Sequence, residues 1–292
     1  MLRHPIPLFL SGIICLALSG SLRAQPPMGP SKPYDTALFT AIRSGDLPTL
    51  QTQLAAGSDA NAIRDGFSAL MCATLNGTPQ QMQLLIDHGA KVNYTDPDSI
   101  TALWLAIPDS TKTVLLLAHG ADPKQAARDN TLLYLAAGTD DTTLVGYLLR
   151  SGFRPNDTTF YGDYPINSAL SFRCSATLKM LVDNGADVNI ALPKSFFPNL
   201  RGMTCLMQAA VADDERSFYY LLDHGADVNK KNTTGYTALM YLQLAEVDHP
   251  DMTKALLAHG ALPLEKARDG SDALALASKK GNTQSMQLLK QR

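Results

Sequence analysis

A chain of 292 residues that is 45% hydrophobic is long enough to bury a large core. Its formal net charge is −2, with lysines and arginines spread without a run, which excludes the electrostatic footprint of a nucleic-acid binder. Four cysteines are too few for a disulfide framework, so the core must hold the fold.

Residues 1–24 open with MLRHPIP, carrying Arg3, and continue as the uncharged run LFLSGIICLALSGSL. This reads as a secretory signal peptide with cleavage after Ala24; because Leu22 is larger than the −3 position prefers, cleavage after Ser19 is the alternative. The run is short for a retained membrane anchor. Cys15 lies within it, without the preceding small residues of a lipid-attachment site. Losing Arg3 and Arg23 takes the formal charge from −2 to −4 and leaves Cys72, Cys174 and Cys205, an odd number that cannot pair completely. The expected destination is periplasmic or secreted. The stretch QPPMGPSKP (25–33) has the composition of a flexible linker, and residues 34–292 are left as one domain.

That domain is repetitive. Glycines recur at Gly57, Gly89, Gly120, Gly152, Gly185, Gly225 and Gly260, 31 to 40 residues apart, inside variants of DHGADVN (223–229). Between them a second word returns: TALF (36–39), SALM (68–71), TALW (101–104), TLLY (131–134), TCLM (204–207) and TALM (237–240). Leucine pairs at 84–85, 116–117, 148–149, 221–222 and 256–257 precede the glycines. Ser or Thr ahead of an apolar helix start can accept from a free N–H of the first turn. Glycine after the last leucine can close a helix in the left-handed conformation, and Asp and Asn then suit a turn. A period near 33 marks stacked supersecondary units that cannot bury their apolar faces singly.

Together these words resemble the ankyrin repeat, whose pattern runs T-P-L-H-x-A at a first helix, a turn, a leucine-ended second helix and a G-A-D-V-N loop. The resemblance covers roughly residues 34–292. It implies an all-α ankyrin-repeat solenoid of about eight helix–turn–helix repeats with hairpin-like loops. Four departures stand out. Pro108 should end the first helix of repeat three early, and AEVDHP (245–250) lengthens repeat seven. YPIN (164–167) gives repeat five a weaker cap, and the last repeat stops at Arg292 with Lys279, Lys280 and Lys290 on its polar outer side.

No catalytic motif interrupts the repeats: G-x-S-x-G, H-E-x-x-H, C-x-x-C and phosphate-binding glycine loops are all missing. His88, His119, His224 and His259 each precede a terminal glycine. Stacked at helix spacing they cannot converge on one ion, so they are expected to pack at helix ends and bond loop backbone. Asp140–Asp141 and Asp213–Asp214–Glu215 fall in turns between helices, where solvated charge rather than acid–base chemistry is expected. Cys174, in another such turn, is expected to be the most exposed thiol. Asn76, Asn93, Asn156 and Asn232 head Asn-x-Thr sequences that matter only in a glycosylating host. No catalytic residue, cofactor or metal is expected.

The resemblance implies protein binding through loop tips and the exposed face of the first helices. Ahead of the helix caps stand Phe67, Ile100, Met203 and Tyr236, large groups for solvent; Tyr164 marks the repeat-five cap itself. Three residues after the caps stand Phe39, Met71, Trp104, Tyr134, Met207 and Met240, which either pack under the loops or line the groove. Gly185 and Thr204 are 19 positions apart, against 11 or 12 for the other such pairs, because LPKSFFPNLRG (192–202) is inserted there. The insertion either folds back over its neighbours or forms a binding finger with Phe196, Phe197 and Arg201. The expected partner-binding residues are therefore Phe196, Phe197, Arg201, Trp104, Tyr134, Tyr236, Phe67 and Tyr164. The expected function is a non-enzymatic scaffold that holds another protein outside the cytoplasm, as an inhibitor, immunity or accessory protein, and is a monomer when free. A thiol redox protein or another enzyme built on the repeats is the alternative.

Overall fold

The computed structural model describes residues 33–126, 131–159, 162–192 and 201–291. In chain order its elements are α1 (Pro33–Ser44), α2 (Leu47–Ala55), β1 (Ile63–Arg64), β2 (Phe67–Ser68), α3 (Ala69–Asn76) and α4 (Pro79–Asp87). Next come α5 (Ala102–Ala106), α6 (Ser110–Ala118), α7 (Pro123–Ala126), α8 (Leu132–Ala137), α9 (Thr142–Arg150), α10 (Pro165–Ser171) and α11 (Ser175–Asp183). The series ends with α12 (Cys205–Ala212), α13 (Glu215–Asp223), α14 (Ala238–Leu242), α15 (Pro250–Ala258), α16 (Ala273–Lys280) and α17 (Thr283–Lys290). The helices form two compact units, divided between Leu132 and Leu133.

The same packing rule builds each unit. In the first, first helices pack side by side (α1 on α3, α3 on α5), and so do second helices (α2 on α4, α4 on α6). In the second, α10, α12, α14 and α16 form one row, and α9, α11, α13, α15 and α17 the other. The core lies between rows: Leu70, Leu85 and Leu116 in the first unit and Ile166, Leu181, Phe218, Leu221 and Leu256 in the second are at most 1% exposed. Such nearest-neighbour burial is what stabilises stacked repeats.

Ser68, Thr101, Thr204 and Thr237 cap their helices as their position requires, each side chain accepting from the backbone N–H three residues on. Thr36 does not: α1 already begins at Pro33, so Thr36 lies inside the helix, its carbonyl accepting from the Thr40 hydroxyl. Tyr164 caps α10 without a side-chain bond, and Asn167 Oδ1 takes its backbone N–H instead at 3.1 Å. Pro108 leaves α5 only 5 residues long, against 8 for α3. The terminal glycines close their helices with φ between +79° and +93°.

The loop after each terminal glycine is more than a bend. Asn61, Asn93, Asn156, Asn189 and Asn229 each donate from Nδ2 to the terminal-glycine carbonyl of the next repeat. Each also accepts, through Oδ1, the backbone N–H two residues beyond that glycine, all at 2.7–3.0 Å. The loop asparagine is thus a two-point clamp between successive repeats. Lys124 occupies its place in repeat three and Leu264 in repeat seven.

Candidate protein-binding surface

The hairpin loops frame any partner surface. In the first, Asp65 and Gly66 (φ 54° and 85°) turn β1 into β2, with Ile63 opposite Ser68 and Arg64 opposite Phe67. The long connection after repeat five repeats this arrangement: Ala191 bridges Thr204, and the Leu192 N–H donates to the Met203 carbonyl at 2.9 Å. Its inserted residues leave from that stem. Phe196 and Phe197 lie outside the described residues. Arg201 is exposed, and its carbonyl accepts both the Thr233 N–H (3.1 Å) and the Thr233 hydroxyl (2.9 Å), tying the stem to the next repeat.

Packing divides the other expected contacts. Ile100 and Met203, expected in solvent, are buried at 9% and 3% exposure, because their hairpins fold them against the stack. Phe39, Met71, Met207 and Met240 pack under the loops, each at most 1% exposed. Phe67, Trp104, Tyr134, Tyr164 and Tyr236 are half-buried, each keeping part of its surface open to a partner. Phe67 and Trp104 belong to the first unit and the three tyrosines to the second.

Tyr236 has the most developed surroundings. With Thr234, Tyr241, Leu244, Arg268 and Asp269 it lines an open groove of about 400 Å³. Its ring centroid is 5.5 Å from that of Tyr241, and its hydroxyl donates to Asp269 Oδ2 at 2.8 Å. Burial, reinforced by that carboxylate, raises the Tyr236 pKa; the Ser271 backbone N–H, then the Tyr236 hydroxyl, lower that of Asp269. Burial pushes Tyr241 up to about 12, while Asn232 Nδ2 donates to its hydroxyl at 2.8 Å. Tyr134 is likewise pushed up to about 12, by burial and then by the Asp163 charge. Amphipathic rings, a guanidinium and a carboxylate around an open groove suit the side chains of another protein. Sequence inspection missed Tyr241, Arg268 and Asp269, although Tyr241 stands five residues after Tyr236 and the other two in the next loop.

Groups with reactive chemistry are placed for structure. His88, His224 and His259 donate from Nδ1 to the carbonyl four residues back in their own helix at 2.7–2.9 Å, rather than to loop backbone, and His119 Nε2 meets Gln83 Oε1 at 3.0 Å. The Cys174 expectation is reversed: it caps α11 and is buried, while Cys72 is the half-buried thiol. All three thiols are free; burial pushes Cys72 and Cys174 up to about 11 and Cys205 to about 12. Asn93 and Asn156 are clamps and Asn232 is buried, so three of the four Asn-x-Thr sequences already use their amide.

In the acidic turns Asp140, Asp213 and Glu215 are exposed as expected, but their neighbours are spent on structure. Asp141 and Asp214 are helix caps, Asp214 only 6% exposed, and Asp140 accepts the Thr177 N–H of the next repeat at 3.2 Å. Around Asp213 a further residue joins that the sequence did not flag: ligand atoms of Asp213, Glu215 and His249 all lie within 4.8 Å of one another.

Comparison with known proteins accounts for this architecture. A family model described as "Ankyrin repeats (3 copies)" matches residues 38–127, 109–191 and 206–292. Human "Ankyrin repeat and SOCS box protein 6" is 26% identical over 277 residues, covering 85% of this chain and 56% of that one. The human "Mitochondrial disaggregase" is 28% identical over 216 residues, 73% of this chain and 25% of that one. A putative ankyrin repeat protein of Acanthamoeba polyphaga mimivirus is 27% identical over 187 residues, 61% and 24% respectively. The chain thus spans 24% to 56% of the length of these relatives. Among solved structures, the human ASB11 ankyrin repeat domain superposes with a TM-score of 0.63 at 22% identity, over 80% of this chain and 100% of that chain, which shows a common fold. With the family model spanning most of the chain and the helix pairs, hairpins and clamps in place, the protein belongs to the ankyrin-repeat family.

Proposed function

We propose that this chain is an exported scaffold that works by occupancy: it holds another protein on its hairpins and first helices and performs no turnover. Ankyrin repeats in general mediate protein–protein interaction. The observation that carries the reading is the groove at Tyr236, where two tyrosines, Arg268 and Asp269 surround an open surface that the stack does not fill. Half-buried aromatic and arginine side chains are the groups that dominate binding energy when a partner desolvates them. Phe67, Trp104, Tyr134 and Tyr164 extend the candidate surface within their own units; Arg201 adds an exposed cation at the stem, and Phe196 and Phe197 of the insertion are further candidate contacts if that segment projects rather than folding back.

Export rests on the apolar run of residues 8–22 behind Arg3. Among the described residues no helix is long and apolar enough to cross a membrane. N-terminal sequencing of the protein from its own host should begin near Gln25, and a full-length cytosolic chain contradicts export. For binding, the chain lacking residues 1–24 is used as bait in that host's extracytoplasmic extract, beside a Tyr236→Ala/Arg268→Ala variant. A partner retained by the first and released by the second supports the groove, and equal retention removes it from the interface.

The thiol alternative makes a different demand. A redox cysteine needs thiolate near neutral pH, whereas burial holds these three neutral until about pH 11 to 12. Thiol labelling of the native protein should therefore stay slow up to pH 9 and become fast in urea. Rapid labelling of Cys174 at pH 7 in the native protein favours the redox reading.

A further inference from the structure

We propose that Asp213, Glu215 and His249 form a binding site for one divalent cation of borderline softness, Zn2+ in the first place, which ties repeat six to repeat seven. Asp213 caps the C-terminus of α12 and Glu215 is the first residue of α13, and His249 caps α15 in the next repeat. His249 Nε2 lies 3.4 Å from Asp213 Oδ1, and the Glu215 carboxylate completes a set whose ligand atoms are all within 4.8 Å of one another. Bonds of about 2.0–2.2 Å to a tetrahedral ion place its ligands roughly 3.3–3.6 Å apart. The imidazole and the first carboxylate already meet that spacing, and Glu215 is exposed and free to close the remainder. An imidazole with two carboxylates is a donor set for zinc or a neighbouring transition ion rather than for calcium or magnesium.

Two observations set this turn apart from an ordinary acidic surface. The first comes from the other repeats. Asp140 and Asp248 also reach forward to the next repeat, but each spends its carboxylate on the N-terminus of a second helix: Asp140 accepts the Thr177 N–H, and Asp248 the Gln284 and Ser285 N–H groups. At repeat six the neighbour presents an imidazole instead, its side chain 13% exposed, and a second carboxylate converges on it. Among the described residues this is the one group of three or more such side chains with converging ligand atoms. The second observation is Asp214, between the two acidic ligands in the same turn: it is buried, and its Oδ2 has no hydrogen-bond partner. A buried carboxylate oxygen left uncompensated is costly, and a cation bound by the same turn would offset that cost.

The test is calorimetric titration of the chelator-stripped full chain with ZnCl2, with Co2+ as a spectroscopic substitute. Saturable binding of one equivalent is expected, with d–d absorption bands of a four- or five-coordinate ion. His249→Gln and Glu215→Gln should each weaken it by tenfold or more, while His224→Ala leaves it unchanged. Metal-free melting of each variant, matched to the parent, separates ligand loss from misfolding. Absence of saturable binding up to 100 μM Zn2+, or binding that survives His249→Gln in a normally melting protein, overturns the site.

Discussion

The hairpin of residues 63–68 and the stem of residues 191–204 are the same device with different contents. Each pairs its two arms in antiparallel register and each comes after a clamp asparagine, Asn61 or Asn189, that grips the next repeat. The first closes through two residues, Asp65 and Gly66; in the second, residues 193–200 lie between Leu192 and the returning arm, outside the described residues. Among the described residues, the clamp and the stem alone already couple each of these repeats to the next. A repeat scaffold can accept new sequence at such a point without disturbing nearest-neighbour packing.

The sharpest way to break this comparison is at the two hairpin glycines. Gly202 has φ +75°, and a Cβ there would stand 3.0 Å from the Thr233 nitrogen, whereas at Gly66 (φ +85°) the nearest atom is Pro97 Cδ at 3.7 Å. Left-handed strain costs about 1–2 kcal/mol at either site, and only Gly202→Ala adds a backbone collision. Urea unfolding should show about 2 kcal/mol or more lost at Gly202→Ala and about 1 kcal/mol at Gly66→Ala; the reverse order would mean that the stem is not fixed to the next repeat. Next in size are Asn189→Ala and Asn61→Ala, each removing two hydrogen bonds at exposed positions, with about 1 kcal/mol expected from each. Similar losses support one clamp serving both connections. A negligible loss at Asn189 alone would make the long connection a different structure.

Much of this was legible from sequence because its signals are local and repeated. Ser68, Thr101, Thr204 and Thr237 cap where the words place them, the terminal glycines take the left-handed conformation, and Pro108 shortens α5. The features that escaped depend on contacts some 30 to 40 residues apart in sequence. The clamp role of Asn61 needs its partner Gly89, and the fate of Met203 depends on which face of a hairpin meets the stack. Recurrence of asparagine four residues after five of the seven terminal glycines was the available sign of the clamp. The Asp213–His249 approach had none, because it joins an acidic turn to an irregular extension in the next repeat.

The central division, in which stacked repeats bear the stability and leave the insertion available to a partner, is tested most directly by thermal and urea unfolding of a Phe196→Ser/Phe197→Ser double variant. With nearest-neighbour packing untouched, stability is expected to stay within about 0.5 kcal/mol of the parent, as for surface substitutions in general. A loss of about 2 kcal/mol or more, the scale of removing buried aromatic rings, would show both phenylalanines packed on the repeats and contradict the division.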